Sequence, residues 1–147
     1  NSNSITKYDI KNFKFPYLIS INERELRVLL KDNHTDIKIL MLKLRSKIKC
    51  KKMIITVGKR GLFYLSENLK IIQLEAFTNQ YMDKIGAGDS FLPFYSLSSL
   101  SNHDFSLSLL LGSLSAAQSV ETIGNSNIVS KIKMLKTISH ILKWIKY

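Results

Sequence analysis

Apolar positions recur along the chain with two periods, about 2 in short runs and about 3.6 in longer ones, and each change of period marks an element. The stretch YLISI (17–21) alternates and follows Pro16, which predicts a strand. In NERELRVLLKD, Leu26, Leu29 and Leu30 form a helical stripe, with Asn22 placed as its N-cap. Ile37, Leu40, Met41, Leu44 and Ile48 fall on one face of an amphipathic helix over 35–49. The run MIITV (53–57) is continuously apolar and partly β-branched, as expected of a strand buried on both faces. It ends in the glycine-punctuated turn GKRG. LFYLS and KIIQLEAF follow as two short strands joined by the polar turn ENLK.

Helical periodicity returns over 87–100 and 103–119, and the second stretch ends in the small-residue tract GSLSAAQSV, which permits close packing. ETIGNSN reads as a loop, with Asn127 placed to cap a final helix through Trp144. Strand, helix, helix, strand, hairpin and three helices in that order indicate an α/β layer with at least two buried strands. No repeat or linker interrupts the pattern, so a single domain over 1–147 is expected. The residues before Tyr17 carry little β signal, which makes this part of a larger sheet. A chain that starts with Asn rather than Met also suggests a processed chain or a fragment.

Composition narrows the class. With 45% hydrophobic and 22% charged residues, the chain has the makings of an ordinary soluble core. No stretch approaches the ~18 consecutive apolar residues of a membrane span, and the polar start lacks a signal-peptide core. Cys50 is the only cysteine, which excludes a disulfide framework and a cysteine metal site and points to a cytoplasmic setting. Its surroundings, KIKCKK, look like a surface helix end where lysines lower the thiol pKa, yet no neighbouring acid or histidine completes a nucleophile. The three histidines, His34, His103 and His140, have no zinc spacing. The formal net charge is +11, and Lys38 to Arg60 hold nine basic residues and no acid. Such a run suits nucleic acid or another polyanion. The helical spacing instead places most of these lysines on a solvated face, so a nucleic-acid partner is not expected.

The stretch YMDKIGAGDSFLPF (81–94) places Gly86 and Gly88 around one alanine, with Asp89 next and an apolar helix beyond, in a chain with only 6 glycines. Small residues at a helix start let the backbone approach a ligand closely. The free N–H groups there favour a phosphate or another anion.

Several segments together resemble the ribokinase-like (PfkB) carbohydrate kinases. DKIGAGDSF is similar to that family's D-T-x-G-A-G-D-x-F signature, INEREL (21–26) to its N-x-x-E segment, and ITVGKRGLFYL (55–65) to its T-x-G-x-x-G nucleotide turn. SAAQSVETIGN (115–125) resembles the helix and loop that close the nucleotide site. All four occur in the family's order. The resemblance implies the C-terminal, nucleotide-binding half of a three-layer α/β fold, with a partial central sheet flanked by helices. The substrate-binding N-terminal half and its lid would then lie elsewhere. It further implies a kinase that uses ATP and Mg²⁺ to phosphorylate a sugar or sugar phosphate, with the fragment alone inactive. The amides of Gly86, Ala87 and Gly88 become the anion hole and Asp89 the base that takes the acceptor hydroxyl's proton, acting through its position. Asn22 and Glu25 help hold the Mg²⁺–phosphate assembly through water. Thr56, Gly58 and Gly61 lie along the nucleotide, Ser113 lines the adenine pocket, and Asp83 belongs to the region that takes a monovalent cation.

Two positions depart from the family pattern. Lys84 replaces the usual Thr, which leaves K⁺ dependence open, because an ammonium there substitutes for the cation or faces solvent. Pro93 removes a backbone bond to the carbonyl of Asp89 and predicts a kink. Together they motivate an alternative, a degenerate nucleotide-binding or interaction module without catalysis. The ETIGN loop and the LPFYSLSSL helix resemble members acting on heptose phosphates, some of which are fused to a nucleotidyltransferase domain.

Overall fold

A computed structural model describes residues 15–78, 86–101, 104–121 and 129–145. They divide into two compact units, one ending at Glu75 and the other beginning at Ala76. In the first unit the order is β1 (Leu18–Asn22), α1 (Glu23–Leu30), α2 (Ile37–Ile48), β2 (Lys52–Thr56), a 3₁₀ turn (Gly58–Arg60), β3 (Leu62–Leu65) and β4 (Ile71–Leu74). β1 and β2 pair in parallel, Leu18 with Lys52 through Asn22 with Thr56, as the two intervening helices require. β3 and β4 extend the sheet in antiparallel fashion, in the order β1-β2-β3-β4.

Register explains the core. Ile19 and Ile21 lie beside Met53 and Ile55, which face Leu65 and Phe63, and all point to one face of the sheet. Against that face pack Leu26 of α1 and all five apolar positions of the α2 stripe, Ile37, Leu40, Met41, Leu44 and Ile48. Ile54, Leu62 and Tyr64 point the other way and are buried too, so the middle of the sheet has no solvent face. The expectation for β2 therefore holds, one residue earlier than the apolar run suggested. Arg45 of α2 donates to the carbonyls of Ser66 and Glu67, at 2.6 and 2.8 Å, and ties the helix to the β3–β4 turn.

Cys50 departs from its sequence reading. After α2, Lys49 adopts a left-handed conformation (φ 55°) that reverses the chain and turns the next side chain inward. Cys50 is 1% exposed and belongs to the core, and burial pushes its thiol pKa up, against the pull of Arg45.

The second unit contains α3 (Ala87–Leu100), α4 (Phe105–Val120) and α5 (Lys131–Ile145). α3 runs through Pro93 without interruption. Phe91 and Tyr95, one turn apart, stack with centroids 5.8 Å apart and are buried. Gly112 of α4 lies against that layer: a Cβ built on it would sit 2.7 Å from the Phe91 ring. The hydroxyls of Ser98 and Ser108 meet at 3.0 Å inside the same seam. Small residues let α3 and α4 approach this closely, as the GSLSAAQSV tract suggested. α5 buries Met134, and the Gln118 side chain accepts from the Ser130 amide at 2.7 Å just before it. Asn127, the expected cap, lies outside the described residues. No helix among the described residues is long and apolar enough to cross a membrane.

Candidate active site

Two groups of sequence-predicted residues occupy the two units. In the first, the pairing of Asn22 with Thr56 brings the carboxyl ends of β1 and β2 side by side, the end of a parallel pair where ligands commonly bind. Asn22 caps α1: its Oδ1 accepts from the Glu25 amide at 2.8 Å, while Glu25 Oε2 accepts from the Asn22 amide at 2.9 Å. This reciprocal capping box fixes both side chains. It leaves the Asn22 side-chain amide and the second Glu25 oxygen outside the box. Beyond Thr56 the chain enters the 3₁₀ turn, where Gly58 and Gly61 have φ of 61° and 85°, a region that disfavours other residues. The turn closes on itself, Val57 N–H donating to Gly61 O at 2.8 Å and Gly61 N–H to Gly58 O at 2.9 Å.

In the second unit Gly86, at φ 86°, is the N-cap of α3, and no side chain caps the helix. The Gly86 carbonyl accepts from Ser90 N–H at 2.8 Å, which closes the first turn. The amides of Ala87, Gly88 and Asp89 open that turn, and Gly88 and Asp89 are exposed. Among the described residues a Cβ at Gly88 would meet nothing within 4 Å, and its φ is not left-handed. Among the described residues, neither packing nor backbone geometry requires glycine at 88. Ser115 Oγ, from α4, donates to the Ser90 carbonyl and pins the same turn. Ser113, also on α4, is 9% exposed, and its hydroxyl has no hydrogen-bond partner among the described residues. Asp83, Lys84 and the 122–125 part of the closing loop lie outside the described residues.

The sequence reading missed one arrangement. Arg60 in the turn donates to Glu23 Oε2, while Arg27 Nε and Nη2 donate to Glu23 Oε1 at 3.1 and 2.9 Å. Partial burial opposes ionisation of Glu23, but the hydrogen bonds from Arg27 and Arg60 outweigh it and hold the carboxyl below its usual range. Spacing of four residues foreshadows the Glu23–Arg27 pair. Nothing local joins Glu23 to Arg60, 37 residues away.

Asn22 and Glu25 present oxygen donors of the kind a hydrated Mg²⁺ takes. No cluster of three or more histidine, cysteine or acidic side chains exists among the described residues. One amide and one carboxylate at Asn22 and Glu25 suit an ion held mainly by phosphate oxygens and water.

A family model described as pfkB family carbohydrate kinase matches residues 3–132. The chain belongs to that family. Its fold is that of the ribokinase-like members, an α/β arrangement with a small mixed sheet and flanking helices. Ribokinase from Thermotoga maritima superposes with a TM-score of 0.82 at 19% identity, over 92% of this chain and 46% of that one. Phosphofructokinase-2 from Escherichia coli, solved in complex with potassium, gives 0.75 at 17%, over 88% and 42%. Arabidopsis thaliana ribokinase complexed with ribose and ATP gives 0.70 at 22%, over 81% and 39%. This pfkB-family chain thus spans less than half the length of each of these kinases. A comparison with curated proteins found no match.

Proposed function

We propose that the chain is the nucleotide-binding and catalytic portion of an ATP-dependent kinase that phosphorylates a hydroxyl of a sugar or sugar phosphate. Membership of the pfkB family supports sugar kinase chemistry. The observation that carries the site assignment is the uncapped start of α3, with an unobstructed Gly88 and an exposed Asp89 in its first turn. In this reading the amides of Gly86, Ala87 and Gly88 receive the γ-phosphoryl group and offset the charge that grows on it. The acceptor oxygen attacks phosphorus as the bond to the β-phosphate oxygen breaks; its proton passes to the Asp89 carboxylate, and ADP leaves. Thr56, Gly58 and Gly61 lie along the nucleotide, and the unpartnered Ser113 hydroxyl suits the polar edge of the adenine. When bound, Mg²⁺ neutralises the phosphates, and Asn22 and Glu25 would hold it through water. Asp83 belongs to the stretch that takes a monovalent cation in the family pattern, and Lys84 beside it leaves the use of that cation open. The acceptor is gripped by polypeptide outside these residues, and a heptose phosphate is the first acceptor to try.

ATP consumption by the full protein against a panel of sugars and sugar phosphates tests this, alongside Asp89→Asn. The variant is expected to lose at least 100-fold in turnover, the scale of a general base, while retaining Mg²⁺–ATP binding by calorimetry. Full activity in Asp89→Asn would remove the assigned base. Tight nucleotide binding with no transfer to any acceptor would favour a nucleotide-responsive module instead.

A further inference from the structure

The carboxyl ends of β1 and β2 adjoin, and each leads into a segment with hydrogen bonds of its own. On one side the capping box joins Asn22 to Glu25. On the other, the turn after Thr56 is closed by Val57 N–H to Gly61 O, Arg60 N–H to Val57 O and Gly61 N–H to Gly58 O. That turn has two left-handed glycines; Val57 at its start is buried in the core, whereas Gly58, Lys59 and Arg60 are exposed. A side-chain link spans the gap: Arg60 Nη2 to Glu23 Oε2. Glu23, the first residue of α1, is itself anchored, because Arg27 holds its other oxygen and donates through Nη1 to the Thr35 carbonyl at 3.0 Å. Both carboxylate oxygens are thus taken by guanidinium groups, which makes Glu23 a poor metal ligand and a good anchor.

We propose that Glu23 and Arg60 are positioning residues of the nucleotide site. The pair sets the separation between the Asn22–Glu25 segment and the Thr56–Gly61 turn. It thereby tunes affinity for Mg²⁺–ATP without touching it. The proposal rests on the nucleotide-site reading above. Arg60 is 59% exposed, and an exposed ion pair adds little to stability, so the contribution of the link is geometric.

The test uses the full protein unaltered, with Glu23→Gln, Arg60→Gln, both together, and Arg60→Lys. Each form is titrated with Mg²⁺–ATP by calorimetry and melted without nucleotide. Each Gln variant is expected to bind about 3- to 10-fold more weakly, and the double variant no more weakly than the worse single, as for residues acting through one contact. Arg60→Lys recovers part of the loss, and the melting midpoints scarcely move. If Arg60→Gln weakens binding and Glu23→Gln does not, the guanidinium meets phosphate directly and the positioning role is overturned. Lowered melting midpoints with unchanged affinity overturn it as well, as do additive losses. An unaltered protein that fails to bind Mg²⁺–ATP overturns the nucleotide-site reading itself, which the other outcomes leave standing.

Discussion

Gly88 shows how a single residue separates structure from chemistry. The described residues around it leave room for a methyl group, and its backbone is ordinary. Glycine inside a helix costs about 0.5–1 kcal/mol relative to alanine, so Gly88→Ala is expected to hold or raise the melting midpoint. Under the proposed anion-hole role phosphoryl transfer should nevertheless fall, because the added methyl would obstruct the amides. A variant that melts lower, or that turns over normally, would show the glycine to be there for another reason. At this scale the sequence is readable where partners are near neighbours. Asn22 was legible as the N-cap because its bond to the Glu25 amide closes within three residues, whereas the return bond from Glu25 emerged only in the structure. Cys50 was misread because its flanking lysines describe the local chain, whereas a left-handed Lys49 decides which way the thiol points.

Among elements, the seam between α3 and α4 carries the sharpest steric demand. A Cβ at Gly112 would lie 2.7 Å from the Phe91 ring, which is itself 1% exposed and stacked on Tyr95. The ring has little room to yield. Gly112→Ala is therefore expected to destabilise by about 1–3 kcal/mol despite the better helix propensity of alanine. Denaturant titration checks it, and pairing the change with Phe91→Leu should restore part of the loss. Opposite outcomes at Gly88 and Gly112 follow from surroundings that composition cannot distinguish. Helices and strands were legible because their periods are local: all five positions of the α2 stripe are buried. The tie from Arg60 to Glu23 was not, since it needs the β1–β2 register to bring the start of α1 and a distant turn together.

For the molecule as a whole, charge sets the response to acid. With 22 basic and 11 acidic residues, every carboxylate that takes up a proton adds to an existing positive excess. Asp32 accepts from the Thr35 amide at 3.0 Å, the Thr35 hydroxyl at 2.8 Å and the His34 amide, with Lys43 alongside. The backbone bond from Thr35 is the chief cause that holds its carboxyl far below the usual range. A depressed folded pKa stabilises the protein above the unfolded value and ceases to do so as pH falls toward the folded one. Asp32→Asn should thus melt lower than the unaltered protein at neutral pH, and the gap should narrow below about pH 4, where the unfolded carboxyl begins to protonate. A gap independent of pH would mean that the loop depends on shape rather than charge. The Glu23 carboxyl, also depressed, shifts stability in the same direction.

Pro93 sits four residues beyond Asp89 and has no amide hydrogen to give that residue's carbonyl. The helix cannot brace its own tip there through the usual ladder, and the Ser115 hydroxyl of the adjoining helix bonds to the next carbonyl along. The aim of Asp89 is thus partly borrowed: under the proposed role of that carboxylate, a lost hydroxyl one helix away would be felt where the proton is exchanged.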